Sequence, residues 1–167
     1  HGMIQLNHKD VDFVTKSLRV FFALFPDPLT QKQLSLQADK LEPACGGRKI
    51  KSQHLHLTLL FLGEVAVTRI EALKQAMTTI SASKFEIRFD TVRYWKHNKI
   101  ISLQASDAPA ELFALVSLLK IALIHRGFAF DNRDYIPHIT LLRKAVHPVQ
   151  THRIQPISLI AAEWFLV

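Results

Sequence analysis

The chain has 167 residues, 49% of them hydrophobic, with a mean hydropathy of +0.12, which is material for one domain or for two small lobes sharing a core. A charged fraction of 21% excludes a disordered chain, and 21 Lys+Arg against 14 Asp+Glu leave +7, the balance of a protein that attracts polyanions such as nucleic acid. The single cysteine, Cys45, excludes an internal disulfide and fits a reducing, cytoplasmic setting.

The opening stretch, His1 to Asp10, is polar and has no signal-peptide pattern. Ser17 to Leu24 reads as a largely buried strand, ended by Phe25-Pro26-Asp27-Pro28. Thr30 to about Lys40 has helical composition, with Leu34 and Leu41 facing inward. A Gly-rich stretch around Cys45 leads into a basic loop carrying Arg48, Lys49 and Lys51. His54 to Leu62 reads as the second strand, closed by Gly63. Thr68 with Glu71 forms a capping box for a helix running to about Ser81, whose apolar face is Ile70, Leu73, Met77 and Ile80.

Phe85 to Tyr94 and Ile100 to Ala105 are the next strands, joined by a hairpin turn at Lys96-His97-Asn98-Lys99. Asp107 is placed to cap a long helix from Pro109 to Arg126, stopped by Gly127. Its most apolar part, Leu112 to Ile124, is too short to span a bilayer and contains Lys120. Phe128 to Pro137 is a polar connection, His138 to Leu142 a short strand, and Ile157 to Val167 contains the last strand. Hairpins mixed with helices predict an α+β fold with mostly antiparallel sheets flanked by helices.

One repeat crosses this order. His56-Leu57-Thr58-Leu59 returns as His138-Ile139-Thr140-Leu141, 82 residues later and near half the chain length, which predicts an internal duplication with pseudo-two-fold symmetry. In a strand, residues i and i+2 share a face. Each copy therefore presents a histidine beside a threonine, and two such strands would converge two imidazoles and two hydroxyls in a groove between two lobes. That set suits in-line displacement at phosphorus. A neutral imidazole takes a proton from the attacking water, an imidazolium protonates the departing oxygen, and hydroxyls bind the non-bridging oxygens as charge builds. A lone His-x-Thr carries little weight; two copies at this spacing carry much more.

The stretch from His54 to Val65, the stretch from Pro137 to Arg143 and the opening strand from Arg19 to Leu24 together resemble the 2H phosphoesterase superfamily, in particular its bacterial and archaeal RNA 2′,3′-cyclic phosphodiesterases, also called 2′-5′ RNA ligases. The resemblance implies one 2H phosphoesterase domain over 1–167, two lobes giving one motif each. It implies hydrolysis of an RNA 2′,3′-cyclic phosphate to a 2′-phosphate, with a slow, reversible 2′-5′ joining of RNA ends. His56 would be the proton donor and His138 the acceptor, and Thr58, Thr140 and Arg143 would bind phosphate. Strict alternation argues against Arg143, which lies five residues beyond His138 and should face away unless the strand bends. Phe22, Tyr94 and Trp95 are candidates to stack on a base, with the core as their more frequent place; Phe22 is the residue singled out.

The resembled enzymes need no metal or other cofactor, and this chain has no CxxC, no HExxH and no carboxylate cluster near either motif. Expected partners are RNAs with cyclic-phosphate ends, tRNA fragments among them, with no membrane and no obligate protein partner, the chain acting as a monomer in the cytoplasm. A 2H enzyme for a small cyclic nucleotide, such as an ADP-ribose cyclic phosphate, is the alternative. Relatives often carry Asn where this chain has His54, and they add a strand beyond the position of Val167. His54 at i−2 should share the strand face of His56, and a metal site on that pair is the least favoured reading. His97, His125, His147 and His152 have no motif around them.

Overall fold

The computed structural model describes residues 16–167 in full, together with the backbone of Gly2–Ile4 and Val11–Asp12. The remainder of the polar opening, His1 to Asp10, lies outside the described residues. The strands are β1 (Gly2–Ile4), β2 (Val11–Asp12), β3 (Ser17–Leu24), β4 (Arg48–Lys49), β5 (Leu57–Ala66), β6 (Phe85–Trp95), β7 (Ile100–Gln104), β8 (His138–Arg143), β9 (His152–Ala161) and β10 (Trp164–Leu166). The helices are α1 (Pro28–Cys45), α2 (Ile70–Thr78) and α3 (Ala110–His125).

Strand order is β1-β10-β3-β5-β8-β7-β6-β9, with β2 beside β3 and β4 beside β8. Every pairing is antiparallel except β1 with β10. The two halves of this path meet through one residue pair, Leu57 with Ile139. The residue after each motif histidine is thus the contact between lobes, and both are fully buried. Each half is built alike: β3, helix α1, then antiparallel β5; and β7, helix α3, then antiparallel β8. The helices cross over, α1 packing on β8 and β9 while α3 packs on β5 and α2. That exchange covers the outer face of each half with apolar side chains, and the buried residues form one continuous cluster from Leu18 to Leu166.

Local chemistry explains most boundaries. The Asp27 carboxylate accepts from the Thr30 backbone N–H at 2.7 Å and Pro28 opens α1, so the helix starts earlier than its composition suggests. Its inward face includes Leu34 and Leu41, as predicted. At the other end Gly46, at φ +67, donates its N–H to the Glu42 carbonyl.

The predicted strand from His54 is corrected: Ser52–His54 form a 3-10 turn, and the strand begins at Leu57 and runs on to Ala66. The Thr68/Glu71 capping box does not form. Val67–Arg69 wind as a 3-10 turn ahead of α2, so Thr68 sits inside the turn, and Glu71 pairs with Lys74. Asp107 does not cap α3 either; Pro109 occupies that position without a side-chain bond. The hairpin between β6 and β7 forms as expected, with Lys99 at φ 56 in its turn. The final segment is two strands, β9 and β10. No helix of the described residues is long and apolar enough to cross a membrane.

Candidate active site

His56 immediately precedes β5 and His138 opens β8. Extending the antiparallel register from Leu57–Ile139 sets His56 across from Thr140 and Thr58 across from His138. Leu57 and Ile139 turn into the core, so the four polar side chains share the opposite face. All four line one cavity of about 500 Å³. Neither threonine hydroxyl is hydrogen-bonded to another described residue.

Each imidazole is held in the same way. Nδ1 of His56 lies 2.7 Å from the His54 carbonyl, and Nδ1 of His138 lies 2.8 Å from the Ile136 carbonyl. A carbonyl only accepts, so each Nδ1 carries its hydrogen and each Nε2 is the nitrogen left for proton transfer. His152 makes the same bond to Gln150 at the head of β9, with Ile154 rather than a threonine two residues on. The bond belongs to this way of entering a strand. What sets His56 and His138 apart is their convergence with two hydroxyls.

The surroundings of the two rings differ. Phe21 and Phe25 lie 5.2 and 5.6 Å from the His56 ring, and Trp95 lies 4.9 Å from the His138 ring. The Trp95 indole is fixed by its Nε1–H donating to the buried Ser102 hydroxyl at 2.8 Å. Burial is the largest influence on His56 and lowers its pKa below the usual histidine value. The bond to the His54 carbonyl works the other way, and repulsion from the Arg143 guanidinium lowers it further. His56 is therefore biased toward neutral imidazole.

Arg143 lines this cavity, against strict alternation. The reason is a bulge. Ile101 pairs with Leu142 but Ser102 pairs with Thr140, which leaves Leu141 as an extra residue and reverses the facing of the residues beyond it. Strand β5 does the same: Phe22 pairs with Leu60 and Ala23 with Thr58, leaving Leu59 extra. Both bulges fall at the third residue after a motif histidine.

Phe22 is corrected as a stacking candidate. It is fully buried, edge-on to Trp164 at 5.8 Å, and cannot reach a ligand. Tyr94 packs against the core, while Trp95 lines a second cavity next to the first. His54 does line the cavity shared by His56 and His138, but from the 3-10 turn, so the shared strand face expected with His56 does not form. Among the described residues no group of three His, Cys, Asp or Glu side chains is placed to hold a metal ion. Residues not anticipated are Phe21, Phe25 and Tyr135, whose hydroxyl donates to the Thr58 carbonyl at 2.8 Å and pins that strand; burial pushes its pKa up. The alternation of β3 opposes Phe21 to Phe22 and held the signal for the first.

Residues 24–102 match the LigT like Phosphoesterase family, a stretch that includes the first motif. A protein of Escherichia coli strain K12 named RNA 2′,3′-cyclic phosphodiesterase is 32% identical over 132 residues, 78% of this chain and 74% of that protein. The chain belongs to the LigT-like phosphoesterases. Among solved members of the family, E. coli LigT in apo form superposes with a TM-score of 0.79 at 30% identity, covering 90% of this chain and 87% of that one. The LigT structure complexed with 3′-AMP gives 0.77 at 31% identity, over 89% and 86%. The α+β arrangement read from the sequence is thus that of the family.

Proposed function

We propose that this LigT-like phosphoesterase opens 2′,3′-cyclic phosphates at RNA ends to 2′-phosphates without a metal ion, His138 accepting a proton and His56 donating one. The observation that carries the reading is the shared cavity of His56, Thr58, His138 and Thr140, with both Nδ1 atoms tied to carbonyls. Water held by His138 Nε2 attacks phosphorus and yields its proton there. The P–O3′ bond breaks, and His56 Nε2–H protonates O3′, giving a free 3′-hydroxyl and a 2′-phosphate. The hydroxyls of Thr58 and Thr140 and the guanidinium of Arg143 neutralise the non-bridging oxygens in the transition state.

His56 must be protonated before it can donate, and burial and Arg143 oppose that. The arriving phosphate supplies the missing negative charge, so protonation of His56 follows substrate binding. With the 5′-hydroxyl of a second RNA in place of water, the same pair forms a P–O5′ bond as P–O3′ breaks, which gives a 2′-5′ linkage; attack by the released 3′-hydroxyl reverses the joining. The name of the E. coli relative and the 3′-AMP bound to LigT support an RNA end as substrate. The reading has the chain working as one two-lobed domain, monomeric in the cytoplasm, on ends such as those of tRNA fragments.

The test is incubation of the protein with a cyclic-ended oligonucleotide in strong chelator, followed by identification of the product end. A 2′-phosphate formed at full rate is expected. A dominant 3′-phosphate, or activity abolished by the chelator, would overturn the assignment.

A further inference from the structure

The two lobes place equivalent positions on either side of the reacting centre but fill them with opposite chemistry. Five residues beyond its histidine, β5 has Phe61 and β8 has Arg143. The loop after α1 is hydrogen-bonded to β8 through Ile50 N–H to the Leu141 carbonyl, and the loop after α3 to β5 through Asp131 N–H to the Phe61 carbonyl. The first loop brings Arg48, Lys49, Lys51 and His54 to the cavity, which Arg143 also lines, with no carboxylate among its lining residues. Lys49 is paired with Asp39; Arg48, Lys51 and Arg143 are exposed and make no ion pair among the described residues.

The second loop helps enclose a neighbouring cavity of about 530 Å³, walled by Phe61, Trp95 and Tyr135. Its lining charges balance, Lys120 and Arg133 against Asp131 and Asp134, with Arg133 bonded through Nε and Nη2 to Asp131. His138 and Thr58 border both cavities, whereas His56 borders only the cationic one. Phe21 and Phe25 pack on His56 and line neither.

A ribose with a 2′,3′-cyclic phosphate has a matching asymmetry. The base leaves from C1′, beside the O2′ edge, and the 5′ chain leaves from C4′, beside the O3′ edge. The flat base suits an aromatic pocket and the polyanionic chain a cationic loop. We infer that the two flanks fix the direction of the bound RNA: the terminal base enters the Trp95–Phe61–Tyr135 pocket on the His138 side, and the chain runs 5′-ward over Arg48, Lys51 and His54 on the His56 side. This rests on the RNA-phosphodiesterase reading and deepens it. In that direction O3′ faces His56, so the flanks themselves select His56 as donor and the 2′-phosphate as product. A reversed substrate would present O2′ to the donor and yield a 3′-phosphate.

The experiment crosses two variants with two substrates. Wild type is first assayed on a cyclic-ended oligonucleotide and on a nucleoside 2′,3′-cyclic monophosphate; failure to hydrolyse either removes the function itself. With activity present, Arg48→Gln/Lys51→Gln should raise KM for the oligonucleotide by about tenfold or more at low salt and raise KM for the monophosphate far less. Trp95→Ala should raise KM for both by a similar factor, roughly ten- to a hundredfold, because both carry the terminal base. Circular dichroism checks that each variant is folded, and Trp95→Phe, which keeps a stacking face, should recover most of the loss. Equal effects of the charge variant on both substrates, no effect of it on either, or no recovery by Trp95→Phe would overturn the assigned direction while leaving the hydrolase reading intact.

Discussion

Replacing His56 by its two amide analogues separates proton transfer from hydrogen bonding at the reacting centre. Asparagine puts an amide nitrogen where Nδ1 sits, 2.7 Å from the His54 carbonyl, and leaves nothing at the Nε2 position. Glutamine puts an amide nitrogen near Nε2 and forfeits the carbonyl bond. Neither can give up a proton near neutral pH. If His56 protonates O3′, both variants lose turnover alike, by on the order of 10²–10⁴, or about 2.7–5.5 kcal/mol of barrier. The fold should barely register the change. The one bond that Gln forfeits contributes about 0.5–1.5 kcal/mol, a melting shift of a few degrees for a chain of this size. Single-turnover hydrolysis of an end-labelled, cyclic-phosphate oligonucleotide reads the chemical step, and a thermal melt reads stability. A double variant with His138→Asn should fall about as far as either single one, since a donor and an acceptor in one step act as a unit. His56→Gln retaining turnover within tenfold of wild type would refute the reasoning: an N–H pointing at the phosphate would then suffice and no proton would be transferred.

Rate against pH should be bell-shaped, with apparent pKa values that belong to the coupled pair. A donor loses activity as pH rises through its folded pKa, and burial and then Arg143 lower that pKa in the free enzyme. Arg143→Gln should therefore raise the pKa of His56 and move the limb that His56 sets to higher pH; a profile left in place by the substitution would separate Arg143 from the titration of His56. His54→Asn should change kcat by a few-fold at most, because His56 uses the backbone carbonyl of residue 54 and not its side chain, and a steady-state assay with and without chelator checks it. Gly47→Ala should cost about 2 kcal/mol or more, read as a melting temperature lower by roughly 4 °C or more. Gly47 sits at φ +86 with a hypothetical Cβ 2.5 Å from the Arg143 carbonyl, so the variant should also lift Arg48 away from the cavity and raise KM for RNA.

What the amino-acid order determined by itself was local or periodic. The two-residue period of His56-Leu57-Thr58 and of His138-Ile139-Thr140 settled which side chains share a face, because a strand alternates wherever it lies. Their separation announced a duplicated half, and Gly127 marked the end of α3 through a backbone preference that needs no neighbours. The tertiary structure decided which face is which. In Phe21-Phe22 both phases look equally apolar, and only Trp164 packing on one side sends Phe22 inward and leaves Phe21 beside His56. Helix α3 is apolar around its circumference, with Leu118, Ile121 and Ile124 exposed opposite buried Leu112, Leu119 and Leu123, so periodicity could not aim it. Arg143 reached the cavity through a bulge at Leu141, which depends on the partner strand supplying one residue fewer. The contrast between a cationic flank and an aromatic one was equally invisible in the chain. It exists only because β5 and β8 meet at a single pair, bringing two loops about 80 residues apart to opposite sides of the same two histidines.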